Sequence, residues 1–115
     1  MDKDFKYLWE LNVEIGQAES VGHKDFLDKN LAPTLAFMRA NQARDAVDRT
    51  TFLNGVQKSA RRETEIESIS LFGKERAIVT CIVTMEGKRY HNVRLFVRQP
   101  GQNWKLLGWA NEPMV

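Results

Sequence analysis

The sequence predicts an α+β domain in which helices pack across one side of a curved sheet. Three observations carry this. Helical periodicity is confined to the first half of the chain. The second half holds three long strand-like runs, Arg76–Met85, Arg89–Gln99 and Asn103–Asn111. Two tight turns, Glu86-Gly87-Lys88 and Pro100-Gly101-Gln102, join those runs into an antiparallel meander. The chain has 115 residues, enough for one core and too few for two, so residues 1–115 read as a single domain.

From Asp4 to Ser20 the pattern is that of an amphipathic helix. Phe5, Leu8, Trp9, Asn12, Val13 and Gly16 follow the i, i+3, i+4, i+7 template, and Leu11 and Ile15 widen the apolar stripe. On this reading Trp9 is a core anchor and Gly22 ends the helix. Lys24–Asn30 forms a short helix presenting Phe26, Leu27 and then Leu31, and Pro33 blocks its continuation. Thr34–Arg39 has the length and bulk of a strand, and Ala40–Val47 reads as a polar loop. Asp48 caps a third helix that buries Phe52, Leu53 and Val56 and stops at Gly55 and the run Lys58–Arg62. In Glu63–Leu71 the alternation of Ile66, Ile69 and Leu71 is broken, which predicts a bulge near Ser68. Phe72-Gly73-Lys74-Glu75 then turns the chain into Arg76–Met85, which is apolar on both faces as a doubly covered strand should be.

Composition removes several classes of function. Seventeen basic against fifteen acidic residues give a net charge of +2, too weak and too mixed for a nucleic-acid or membrane partner. Lys58, Arg61 and Arg62 are followed by three acids and carry no interleaved aromatics, so they read as a solvated helix end. The opening residues lack the apolar run of a signal peptide or membrane span, and the expected compartment is the reduced cytoplasm. One cysteine, Cys81, excludes an intrachain disulfide and a cysteine-based metal site, and mid-strand it reads as a small buried hydrophobe. His23 and His91 show no ligand spacing, so neither a metal nor another cofactor is expected. His91 reads as a surface or interface residue, and Glu63, Glu65 and Glu67 as a water-facing row.

Three stretches together resemble the nuclear transport factor 2-like superfamily, in particular its SnoaL-like and ketosteroid-isomerase-like members and the association domain of calmodulin-dependent kinase II. They are the opening helix with DFLDKNLAPTLAF (Asp25–Phe37), the capped DRTTFL segment (Asp48–Leu53), and the ending AIVTCIVTMEGKRYHNVRLFVRQPGQNWKLLGWANEP (Ala77–Pro113). The resemblance implies a cone-like α+β barrel: a curved antiparallel sheet with helices on its concave side, a pocket between sheet and first helix, and frequent dimers through the sheet. Its isomerase-like members use a tyrosine on the first helix and carboxyl groups on two strands. Ile15, Arg39 and Arg94 stand near those positions here, and neither Thr34–Arg39 nor Arg89–Gln99 contains an Asp or Glu. No catalytic residue is assigned.

One constellation remains. Asn92, Arg94 and Phe96 alternate onto one strand face, opposite Val93, Leu95 and Val97. An arginine there can hold a carboxylate bidentately. Trp9, Phe37, Phe96 and Trp109 supply apolar walls, with Asn111 as a further candidate. Should Arg94 instead pair within the chain, Glu10 or Glu14 of the first helix are the expected partners. The expected function is thus a non-catalytic small-molecule-binding or assembly domain, its ligand a small organic acid or hydrophobic molecule. The alternative is a cofactor-independent isomerase, dehydratase or hydrolase-type enzyme on a small hydrophobic or carbonyl substrate. The apolar alternates Val93, Leu95 and Val97 predict a homodimer through the outer sheet face.

Overall fold

A computed structural model describes residues 2–39 and 45–115. Helix α1 (Lys3–Val21) is capped by the Asp2 carboxylate, which accepts from the Asp4 amide at 2.7 Å. It ends at Gly22, whose φ of 70° suits glycine and where a Cβ would come within 2.6 Å of the Lys58 nitrogen. Helix α2 (Lys24–Asn30) runs directly into strand β1 (Leu31–Arg39). The strand therefore begins three residues before the sequence suggests and takes in Pro33, which lies exposed in a stretch where the register with its partner shifts. The predicted loop Ala40–Val47 falls outside the described residues over 40–44. Its last residue, Val47, exchanges two backbone hydrogen bonds with Phe37, of 3.0 and 2.7 Å. Helix α3 (Arg49–Asn54) is capped by Asp48, which accepts from the Thr51 amide at 2.8 Å.

Strands β2 (Arg62–Phe72), β3 (Arg76–Met85), β4 (Lys88–Val97) and β5 (Lys105–Pro113) complete a five-stranded curved sheet in the order β1-β5-β4-β3-β2. The predicted bulge is present: the β2–β3 register slips between Ile66 and Ser68. Four strands run antiparallel as expected, whereas β1 joins β5 in parallel, so the sheet is mixed. A hairpin forces its two strands antiparallel; β1 and β5, at opposite ends of the chain, carry no such constraint. Among the described residues no helix is long and apolar enough to cross a membrane.

The core lies between α1 and the concave face, with Leu8, Leu11 and Ile15 meeting Val79, Phe96 and Leu106. Helix and sheet approach closely at Gly16, where a Cβ would sit 2.6 Å from Thr64 Oγ1 of β2. Two expectations are corrected here. Trp9 is no core anchor: it is 44% exposed and packs on Phe5 one turn earlier, because the buried stripe runs through Leu8, Leu11, Asn12 and Ile15. Strand β3 is only partly covered on its outer face in the single chain, where Ile82 is 6% exposed and Ile78 38%.

The start of α1 is fastened to the sheet by a charge pair. Arg98 Nη1 and Nη2 each donate to an Asp4 oxygen at 2.7 Å, its Nε donates to the Lys74 carbonyl, and its guanidinium lies 4.3 Å over the Trp104 ring. The Arg98 hydrogen bonds hold the Asp4 carboxyl below its ordinary value of 3.8. The contribution of the pair is in place above that value and is lost as pH falls through the lower folded-state value. Asp4→Asn should therefore destabilise the domain by about 1 kcal/mol at neutral pH, the partial exposure of the pair limiting the effect. In urea denaturation the variant and the native protein should converge as the pH is taken below 3.8.

Candidate functional site

The concave face carries a polar cluster inside the core. β4 presents Asn92, Arg94 and Phe96 inward as the alternation predicts, and all three are fully buried. In register, Arg94 stands beside Val79 on β3 and Trp109 on β5, and Asn92 beside Cys81 and Asn111. The Arg94 guanidinium lies 4.7 Å over the Trp109 ring. Its Nη1 donates to the Asn12 carbonyl at 3.3 Å and to Asn12 Oδ1 at 3.2 Å. Asn12 is held in turn, its Nδ2 donating to the Leu8 carbonyl at 2.7 Å. The Trp109 indole donates to Asn92 Oδ1 at 2.7 Å, and Asn92 Nδ2 donates to the Tyr90 carbonyl at 3.2 Å.

Arg94 Nε and Nη2 are closed off from solvent and have no acceptor among the described residues. These are the two nitrogens of one edge of the guanidinium, whose N–H bonds run side by side and match the two oxygens of a carboxylate. The expected partners Glu10 and Glu14 are not there; both lie exposed on the far side of α1. The buried carboxylate at the far end of α1 is Glu19, which the helical pattern also allows to face inward. It continues the buried stripe four residues after Ile15 and seven after Asn12, and that spacing was its signal. Only 11% of its side chain is exposed, and it lies 3.8 Å from Arg62 Nε. Burial pushes its carboxyl up from the ordinary range against the opposing pull of Arg62, Arg94 and Arg39.

Arg62 therefore departs from the solvated end assigned to its run: its side chain is 14% exposed and turned inward. The junction of α1 with β2 places it. Its amide donates to Ser20 Oγ at 2.8 Å, and the Ser59 amide donates to the Ser20 carbonyl at 3.0 Å.

Two cavities meet at Glu19, Arg39 and Arg62. One, of about 290 Å³, is walled by Phe37, Val47, Phe52 and Val56; the other, of about 250 Å³, by Val83, Met85, Tyr90, Asn92 and Asn111. Phe37, Phe52 and Trp109 form one aromatic cluster with centroids 4.8–5.3 Å apart. Of the residues singled out from sequence, Phe37 lines the first cavity and Asn92 and Asn111 the second, while Arg94 and Trp109 lie in the core beside Asn92 and line neither. Phe96 sits deeper in the core, paired with Ala77, and Trp9 borders neither cavity. Cys81 is fully buried, its thiol pushed up by desolvation. His91 accompanies Glu67 at 3.1 Å outside the sheet. Among the described residues no group of His, Cys, Asp or Glu could hold a metal ion.

No family model matches the chain, and no curated protein matches it in sequence. Solved structures do. An NTF-2-like protein of unknown function from Silicibacter pomeroyi is 14% identical with a TM-score of 0.80, over 99% of this chain and 100% of that one. An NTF2-like protein of unknown function in nutrient uptake from Rhodospirillum rubrum is 18% identical with a TM-score of 0.79, over 94% and 98%. A domain with a cystatin-like fold from Nostoc punctiforme is 12% identical with a TM-score of 0.78, over 100% and 80%. The chain thus has the nuclear transport factor 2-like fold that its sequence suggested.

The Trp109–Asn92 bond fixes the wall under Arg94. Asn92→Leu leaves the indole N–H buried without an acceptor and should lower the unfolding free energy by about 1–3 kcal/mol in urea denaturation. A loss below about 0.5 kcal/mol would place that bond outside the framework of the site.

Proposed function

We propose that this chain is a cytoplasmic, non-catalytic small-molecule-binding domain that takes a small organic acid between its curved sheet and first helix. The observation that carries the reading is the buried Arg94, with one guanidinium edge unpartnered. A buried donor left unmade is costly, and a charged one more so, so a ligand that completes the edge gains more than the same contact would at a surface. Arg39 and Arg62 at the junction of the cavities favour an anion on its way in. Phe37 and Phe52, with Trp109 packed behind them, offer an apolar wall that suits an aryl or short alkyl group.

A second reading, a cofactor-independent enzyme on a carbonyl substrate, draws on Glu19, a buried carboxyl beside a guanidinium. Incubating a bound acid with the protein in deuterated water separates the two: a binding domain returns it unchanged, whereas a proton-transfer enzyme exchanges its α-hydrogens. The proposal extends to a homodimer through the outer face of the sheet. Ile78 and Val93 on that face are 38% and 40% exposed, with Leu95 and Val97 beside them.

Two measurements follow. A calorimetric screen of benzoate, phenylacetate and hexanoate should find binding that Arg94→Met abolishes; binding that survives the substitution removes Arg94 from the site. Light scattering at tens of micromolar should give twice the chain mass, and Val93→Arg should return it to the monomer value. A monomer mass for the native protein would reject the dimer.

A further inference from the structure

We infer that Glu19 and Arg62 form a two-charge receptor for the head group of a free α-amino acid with an apolar side chain, Glu19 taking the ammonium and Arg62 the carboxylate. The inference goes beyond the acid-binding reading above and does not rest on Arg94, which lines neither cavity. Glu19 and Arg62 border both cavities at the point where these meet. Their side chains are 11% and 14% exposed, so both charges are largely withdrawn from water. Yet Arg62 Nε is 3.8 Å from Glu19 Oε1, too far for a hydrogen bond. Among the described residues no hydrogen bond reaches the Glu19 carboxylate. Arg62 Nη1 is taken by Ser59 Oγ at 2.6 Å and the Ala60 carbonyl at 3.5 Å. The other edge of the guanidinium, Nε with Nη2, makes no hydrogen bond among the described residues.

Two buried charges standing side by side select a ligand by its own charges. A lone carboxylate can take the Nε–Nη2 edge of Arg62 side-on, but it then lies against Glu19. A lone ammonium on Glu19 lies against Arg62 in the same way. An α-amino acid carries both charges on one carbon, so it can lie head to tail along the pair, each of its charges on the opposite one. Arg39 also borders both cavities but is exposed, so its field is screened and the buried pair sets the balance. The side chain on that same carbon is directed by the walls. The first cavity, about 290 Å³, is lined by Phe37, Val47, Phe52 and Val56 and suits a branched or aryl group. That volume lies at the small end for ligand sites, which fits a single amino acid better than a peptide.

The experiment is isothermal titration of L-leucine and L-phenylalanine at neutral pH, each against the acid that lacks its ammonium and the amine that lacks its carboxylate. The native protein should bind at least one of the two amino acids at least about tenfold more tightly than both of its analogues. This arm uses only the native chain and decides the matter even if a variant fails to fold. Glu19→Gln should bring the amino acid and its acid analogue to within about twofold of each other, and Arg62→Gln should do the same for the amine. Arg94→Met should leave amino-acid binding in place. Amino acids that bind no more tightly than their acid analogues overturn the two-charge receptor and leave the acid-binding reading standing. A preference that survives Glu19→Gln, or amino-acid binding that Arg94→Met abolishes, removes the receptor from this pair. No binding of either amino acid overturns the inference, whatever the benzoate screen returns.

Discussion

A guanidinium shut between a helix and a sheet sets the terms for the rest of this molecule. Arg94 is fully buried on a strand whose inward neighbours are otherwise core. A charge in that position must be met by dipoles, by a π face or by another charge, or the fold loses several kcal/mol. Polar residues inside the core are placed accordingly. Asn12 interrupts the apolar stripe of α1 to supply two oxygens, and Trp109 supplies its ring face. Asn92 holds Trp109 in orientation through the indole nitrogen. What these groups leave unmet is one guanidinium edge, and the function argued above is what that edge can do.

The two ends of α1 are fastened by different chemistry. At its start a two-pronged arginine–carboxylate pair and an indole close the barrel. At its other end Ser20 ties the backbone to the first residue of β2 by neutral hydrogen bonds, while the nearby charges, Glu19 and Arg62, are 3.8 Å apart and without a close bond. The firm end borders neither of the two cavities that meet at Glu19, and the loosely paired end borders both. Gly16 lets the helix lie against β2 between them, so the position of Glu19 is set by backbone packing rather than by its own contacts.

Much of the fold was legible because its signals are local. The cap at Asp48, the left-handed stop at Gly22, the bulge before Ser68 and the bounds of β3 depend on a few neighbouring residues. Strand alternation likewise put Asn92, Arg94 and Phe96 on one side. The failures have a different origin. Trp9 and Leu8 are adjacent and both fit an amphipathic template, and only the position of the sheet decides which of them is inside. Glu19 and Arg62 fit the profile of solvated charges when read singly; the packing of α1 on β2 buries them side by side, across 43 residues of chain. The parallel pairing of β1 with β5 has no local signature at all.

That pairing has a consequence for how the barrel comes into being. β1 is made early, yet the strand it pairs with among the described residues is β5, with Phe37 opposite Trp109 and Met38 opposite Ala110. The fastening of Asp4 to Arg98 likewise spans 94 positions. Loops of that length are slow to close, because their entropy is spent before any contact is gained. On the ribosome the helices and the first three strands of the meander can associate, while β1 waits with an unpaired edge until β5 emerges. The polar residue Arg39 and the proline at position 33 lie on that waiting strand, where each disfavours pairing with a stray edge.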